Sequence, residues 1–181
     1  VNFKSPKTIL LLASSKNKSL FSRDYLNNLL QLEKNIHAVP HIEKVTSIVS
    51  VKMPRINNGA LELTTLIPDT YIKANRIKQI KSIYKKNSPI FNSFLSKNKN
   101  SSIIAVEYKL PNNRPKTKAK FFNNIELMIK NNSALFKRLD MFSLSHAIHT
   151  QNMIVLRDII RLVPIATLIT IGMIAFFVRS F

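Results

Sequence analysis

The stretch Leu162–Val178, with the sequence LVPIATLITIGMIAFFV, decides how this chain is organised, because its 17 residues carry no charge. At about 1.5 Å per residue, a helix of this length spans about 25 Å, slightly less than the roughly 30 Å hydrocarbon core of a bilayer. Arg161 before the stretch and Arg179 after it can extend their charged ends to the two interfaces. The sequence therefore predicts a transmembrane helix rather than a buried core helix, since a core helix in a small domain is rarely apolar on every side.

The rest of the chain is long enough for one domain with its own core. We predict a folded domain over residues 1–150, followed by residues 151–181 as a transmembrane helix with an interfacial lead-in. The chain begins with Val1 rather than Met, and it stops shortly after the predicted span. We therefore expect a fragment of a longer polypeptide. It has no Cys, which excludes disulfides and thiolate metal sites.

The chain is strongly basic, with 28 Lys and Arg against 9 Asp and Glu and a net charge of +19. Such a charge can attract nucleic acid or anionic lipid. However, Lys outnumbers Arg 20 to 8, and the lysines are spread along the chain without interleaved aromatic residues. We predict a mainly solvated lysine surface, with membrane lipids as partners and no specific nucleic acid.

Hydrophobic periodicity and capping signals predict four main strands and three helices. In chain order these are a strand at Thr8–Ala13, a helix at Arg23–Ala38 capped by Ser22, a strand at Val45–Val51, a strand at Ser102–Tyr108, an amphipathic helix around Phe121–Ile129, a strand at Met141–Ser145, and a helix from about Thr150 into the membrane. Residues 54–100 are predicted to be an insertion. It would hold a short strand at Leu61–Ile67 and a helix from Pro68-Asp69 to Lys86.

Without the insertion, the order is β-α-β-β-α-β, which is typical of an α+β domain with the ferredoxin-like split βαβ fold. In that fold two helices pack on one face of a four-stranded antiparallel sheet. One residue from each of six elements is predicted to meet in a single core: Leu10, Leu29, Val49, Val106, Ile125 and Leu144.

No motif for catalysis or cofactor binding occurs. The chain has only two glycines, too few for a glycine-rich phosphate-binding loop. His146 and His149 have a spacing that can serve a metal, but no Cys or carboxylate lies within the next several residues. We expect neither an enzyme nor a bound metal or cofactor.

The residues around the membrane boundary are the candidate functional positions: Arg157, Asp158, Arg161, Pro164 and Arg179. Arg157 and Arg161 share a helix face, and Asp158 is spaced to pair with Arg161. One interpretation is an interfacial anchor with an exposed ion pair. The other is a hinge contact that couples the domain to the membrane helix, and Pro164 would kink the helix near it.

Several segments resemble the first extracytoplasmic loop of resistance-nodulation-division (RND) superfamily permeases of the MmpL and hydrophobe-exporter type. Leu20–Leu26 followed by Val39–Ile48 resembles the family's helix and its Pro-Gly-Val-x-x-Val-x-Ser-Leu-like stretch, with His41 where the family usually has Gly. Similar likenesses lie in Leu66-Ile67-Pro68, in the block from Asn87-Ser88-Pro89 to Ser102–Ile104, and in Asp158 and Pro164 followed by Phe177-Val178-Arg179-Ser180, which resembles the family's second transmembrane helix.

The resemblance implies that residues 1–150 form a porter subdomain on the periplasmic side of the inner membrane. The whole protein would be a proton-driven exporter of hydrophobic or amphiphilic molecules. Its further partners would be the remaining transmembrane helices, a second porter loop and, where it oligomerises, copies of itself. Its proton-relay carboxylates would lie in a later helix. Two alternatives stay open, namely a self-contained binding or chaperone-like domain with a C-terminal membrane anchor, and an anchored nucleic-acid-binding module.

Overall fold

The computed structural model describes residues 7–16, 19–57, 60–65, 67, 72, 76–86, 88–112 and 114–179. The chain forms two compact units, one ending at Ser143 and the other beginning at Leu144. The first unit therefore ends seven residues before the predicted boundary at residue 150.

The described residues of the first unit form six strands and four α-helices: β1 (Lys7–Ser14), α1 (Arg23–His37), β2 (Ile42–Thr46), β3 (Lys52–Asn57), β4 (Ala60–Thr65), α2 (Arg76–Lys86), α3 (Ser88–Asn92), β5 (Ser101–Tyr108), α4 (Pro115–Asn132) and β6 (Arg138–Phe142). A short 3₁₀ turn, Ser133–Leu135, follows α4. The second unit is one helix, α5 (Leu144–Arg179).

Four strands form an antiparallel sheet in the order β2-β5-β1-β6. In its register Ile9 lies opposite Val106, and Leu10 lies opposite Phe142. The predicted α+β class, with a four-stranded antiparallel sheet and a long apolar C-terminal helix, is confirmed.

One face of this sheet and the two longest helices of the first unit build the core. Along β1 the buried side chains are Ile9, Leu11 and Ala13, and along β5 every second residue from Ser102 to Tyr108 is buried. Helices α1 and α4 supply the other half of the core, with Tyr25, Leu26, Leu29, Leu32 and Ile36 from α1 and Phe121, Phe122, Ile125 and Met128 from α4. The predicted cap of α1 is confirmed, since Ser22 Oγ accepts from the Tyr25 backbone N–H at 3.3 Å.

Two of the six predicted core residues are wrong. Leu10 is 42% exposed and Leu144 is 78% exposed, whereas Leu29, Val49, Val106 and Ile125 are buried. The apolar run of β1 has no alternation, so its pattern does not specify which face points inward. The structure buries Ile9 and Leu11 and turns Leu10 to the outer face.

The predicted strand Val45–Val51 is also wrong, because β2 ends at Thr46 and residues 48–50 form a turn. Ser47 Oγ accepts from the Val49 backbone N–H and Ser50 Oγ accepts from the Ser47 backbone N–H, both at 3.0 Å. Ser50 Oγ also donates to Glu33 Oε1 on α1 at 2.8 Å. These side-chain bonds compete with strand pairing and stop β2 early.

The insertion begins with the hairpin β3–β4, a separate two-stranded sheet in which Pro54 lies opposite Leu63. The predicted helix start at Pro68-Asp69 lies outside the described residues. Ile72 belongs to no helix, so the predicted helix is wrong at that position, and α2 begins at Arg76. The Ile72 backbone is held instead by Asn27, whose Oδ1 accepts from the Ile72 N–H at 2.8 Å.

At the end of the first unit, the last strand and the helix that follows it both begin earlier than predicted. The fourth strand of the main sheet is Arg138–Phe142 rather than Met141–Ser145, and the following helix begins at Leu144 rather than near Thr150. Leu139 and Met141 lie against Ala13 and Leu11 of β1, which accounts for the earlier start, because these side chains pack against the core.

Candidate functional site

Helix α5 is the element in which the predicted functional positions lie. It has 36 residues, so it is about 54 Å long, well over the roughly 30 Å of a hydrocarbon core. Its residues Leu144–Phe176 are long and apolar enough to cross a membrane, and their most apolar window has no residue buried within the protein. If the uncharged stretch from Leu162 occupies the membrane, the first 18 residues of the helix extend beyond it.

Arg157, Asp158 and Arg161 lie in this first part of α5 and are exposed. Arg157 and Arg161 are one helical turn apart, as predicted. The described part of the chain has no ion pair between Asp158 and Arg161, although their spacing allows one. An exposed pair gains at most about 1 kcal/mol, which the entropy of two free side chains can cancel.

Pro164 lies inside α5, and the helix continues through it. Because proline has no N–H, the Ile160 carbonyl lacks its usual helical donor. The hydroxyls of the two threonines that follow form hydrogen bonds with carbonyls of the same helix. Thr167 Oγ1 donates to the Val163 carbonyl and Thr170 Oγ1 donates to the Ala166 carbonyl, each at 2.8 Å. The hydroxyls therefore add little to the cost of placing this segment in lipid. Arg179 ends the helix and is exposed.

His146 and His149 both lie in the first two turns of α5, and not at the predicted strand end. Among the residues that the structure describes, no group of three or more His, Asp or Glu side chains could hold a metal ion. His37 and His41 belong to the first unit, at the end of α1 and in the turn before β2.

A shallow groove of about 340 Å³ lies between the end of α1 and α4. Four asparagines and a few apolar side chains line it, including the exposed Leu127. Asn35 Nδ2 donates to Asn132 Oδ1 at 2.7 Å across the groove, and Asn132 Nδ2 donates to the Met128 carbonyl at 2.7 Å. These two carboxamides brace α1 against α4, so the groove has a structural explanation without a ligand.

The most notable feature that the sequence reasoning missed is the exposed face of α2. Lys78, Lys81 and Lys85 lie on this face, and the described residues provide no carboxylate within ion-pair distance of any of them. A signal was present in the sequence, because residues 70–106 contain eight Lys and Arg but no Asp or Glu. Counting lysines over the whole chain concealed this local excess.

No model of a known protein family matches this sequence, and no curated protein matches it.

Proposed function

We propose that this chain is part of a proton-driven RND-type membrane transporter that exports hydrophobic or amphiphilic molecules. Residues 1–143 would be an extracytoplasmic porter subdomain of ferredoxin-like split βαβ topology, and α5 would contain the second transmembrane helix. The function would be transport rather than an enzymatic reaction.

The sheet order supports the ferredoxin-like topology. In the order β2-β5-β1-β6, each βαβ half places its two strands on either side of a strand from the other half. Helices α1 and α4 connect the strands of the two halves and bury their apolar faces in the same core. This combination is the one expected of a split βαβ sheet with both helices on one face.

The observation that best supports the family resemblance is the backbone of His41. Its φ is 74°, in the left-handed region that favours glycine. His41 stands where the resembled family usually has Gly in its Pro-Gly-Val-x-x-Val stretch. The backbone conformation required at this position is therefore one that a family glycine would adopt without strain.

The connection between the two units supports the membrane part of the proposal. Ser143 is the only residue between the end of β6 and the start of α5. The helix then runs without interruption through the charged positions and Pro164 to Arg179. A short connection of this kind suits a transporter in which movement of a membrane helix must reach the folded domain.

The first test is the coding sequence downstream of Phe181. The proposal expects further transmembrane helices and a second extracytoplasmic loop with the same β-α-β-β-α-β order. A stop codon directly after Phe181 would contradict the transporter and favour the anchored binding domain. The second test is export of a lipophilic fluorescent dye by cells that express the complete reading frame. Export should stop when a protonophore collapses the proton gradient, and dye retention equal to that of empty-vector cells would contradict the proposal.

A further inference from the structure

The exposed side of α2 concentrates positive charge on one helix face. Lys78, Lys81 and Lys85 are spaced i, i+3 and i+7, which places them within about 60° of one another around the helix and along about 10 Å of its length. The buried residues Ile80 and Tyr84 lie about 110° around the helix from the centre of this face, and all three lysines are exposed. The lysines therefore point away from the domain.

Aromatic packing holds this helix firmly on the domain. The Tyr84 ring lies 4.8 Å from Phe21 and 5.7 Å from Phe91, measured between ring centroids. The Tyr84 hydroxyl donates to Asn92 Oδ1 at 3.0 Å. Because the apolar side of α2 is already buried in the protein, this helix cannot insert into a bilayer as an amphipathic helix does. Its free face can act only through charge.

Lys99 adds another cation near α2, since its Nζ lies 5.5 Å from the centre of the Tyr84 ring. No Asp or Glu occurs from residue 70 to residue 106, so no carboxylate of this segment offsets these charges. A partner for this face must present many negative charges over a flat area of at least 10 Å, and it needs no pocket.

We propose that the face formed by Lys78, Lys81 and Lys85 docks on the anionic headgroups of the membrane in which α5 is anchored. The phosphates of a bilayer surface have the required charge and flatness, and each Lys near such a surface contributes to binding. Attachment to a membrane helix also keeps the domain at high effective concentration beside the headgroups, so weak contacts suffice. The partner is a lipid surface rather than a nucleic acid, because the face carries lysines without the stacking aromatics that single-stranded nucleic acids use. This inference rests on the apolar helix and not on the transport function.

The absence of Cys makes a direct test simple. Ser82 is exposed on α2 between the lysines, so Ser82→Cys gives one labelling site for a fluorescent donor. The full 181-residue chain is placed in nanodiscs that carry a lipid-bound acceptor, with either neutral lipid or about one third phosphatidylglycerol. We expect energy transfer to increase in the anionic discs at low salt and to decrease as salt rises, because the contacts are screened.

The decisive variant is Lys78→Gln, Lys81→Gln, Lys85→Gln, compared with Lys116→Gln, Lys118→Gln, Lys120→Gln on α4. Both remove three charges, so an effect of net charge alone reduces docking equally in the two. The proposal expects the ratio of docked to undocked domain to fall about a hundredfold for the α2 variant and far less for the α4 variant. Circular dichroism checks that both variants remain folded.

Equal losses in the two variants, or equal energy transfer in neutral and anionic discs, would overturn the proposal. So would displacement of the domain from anionic discs by a short oligonucleotide at about 0.15 M salt, which would identify the face as a nucleic-acid site. Failure of the dye-export test would leave this measurement unaffected, since it uses only the chain and lipid.

Discussion

The hydroxyl oxygens of Tyr25 and Ser102 lie 2.6 Å apart in the centre of the domain. The Tyr25 hydroxyl also donates to the carbonyl of Ala13 at 3.0 Å, so its single proton is used there and Ser102 is the donor to Tyr25. Ala13 and Ser102 are register partners on β1 and β5. The Tyr25 hydroxyl therefore links α1 by hydrogen bonds to both central strands of the sheet, β1 and β5. Burial raises the pKa of Tyr25 to about 12, although the bonds from Ser102 act in the opposite direction.

Replacing Tyr25 with Phe tests this contact through pH. Because its pKa is higher in the folded state, Tyr25 contributes full stability below pH 10 and loses it as pH rises towards 12. A shift of two units corresponds to about 2–3 kcal/mol. We expect Tyr25→Phe to be less stable than the parent by about 1–2 kcal/mol near pH 8, since the Ser102 hydroxyl loses its acceptor. The difference should shrink or reverse by pH 12.

The measurement is urea denaturation of the full chain in non-ionic detergent, followed by the near-ultraviolet signal of the tyrosines. The lysines titrate in the same range, so the informative quantity is the difference between parent and variant at each pH. A difference that stays constant from pH 8 to pH 12 would mean that Tyr25 ionises as easily in the folded protein as in the unfolded chain.

Leu29 and Leu10 form a matched pair for the core. Leu29 is fully buried on α1, whereas Leu10 is 42% exposed on the outer face of the sheet. Leu29→Asp buries a charge without a partner and should cost about 4 kcal/mol or more, enough to unfold the domain. Leu10→Asp should cost about 1 kcal/mol or less. Similar denaturation curves for the two variants would show that the buried faces of α1 and β1 are assigned incorrectly.

His41 offers a substitution that should stabilise the protein. At φ 74° a residue with a Cβ is strained, and His41→Gly should remove that strain for a net gain of about 0.5–1 kcal/mol after the added entropy of the unfolded chain. The backbone bond from the Lys109 N–H to the His41 carbonyl, 3.0 Å long, should persist. His41→Ala is the control, since it keeps the Cβ and should give no such gain. Equal melting temperatures for the Gly and Ala variants would contradict the left-handed conformation.

Asn27 and Asn28 are neighbours on α1, but their side chains form hydrogen bonds with different segments of the chain. Asn27 bonds both backbone groups of Ile72, while Asn28 Nδ2 donates to the carbonyl of Leu135 at 3.0 Å. Asn27→Ala should cost about 1–2 kcal/mol and should remove the protection of the Ile72 amide against hydrogen exchange. Asn28→Ala should leave the Ile72 amide protected. Loss of protection in both variants would indicate a general loosening of α1 instead.

These sites show where sequence reasoning succeeds and where it stops. Helix α1 is predicted within a residue, because Ser22 and the apolar spacing that follows act locally. The turn at residues 47–50 is missed because the β-branched residues around it favour a strand, whereas the side chains of Ser47 and Ser50 form local bonds and Ser50 also reaches Glu33, which is remote in sequence. The inward face of β1 is missed because an unbroken apolar run fits either face. The excess of lysine around α2 can be read from the sequence, but the face that Lys78, Lys81 and Lys85 share is defined only once Ile80 and Tyr84 are known to be buried.

The last prediction concerns how movement passes between the membrane helix and the domain. The structure begins α5 at Leu144, so Thr150 lies within the helix and not at its start. If the helix couples the two units, breaking it after Thr150 in the complete reading frame should leave membrane insertion intact and abolish dye export.

We therefore compare two insertions of seven residues after Thr150. The first is Gly-Ser-Gly-Ser-Gly-Ser-Gly, which is flexible. The second is Ala-Ala-Ala-Ala-Lys-Ala-Ala, which adds about two helical turns and nearly keeps the angular position of Arg157 and Arg161. We expect no export with the flexible insertion and substantial export with the helical one, at equal amounts of protein in the membrane. Native export with the flexible insertion would show that α5 acts only as an anchor, and loss of export with both would show that distance from the membrane, not rigidity, is what the transporter requires.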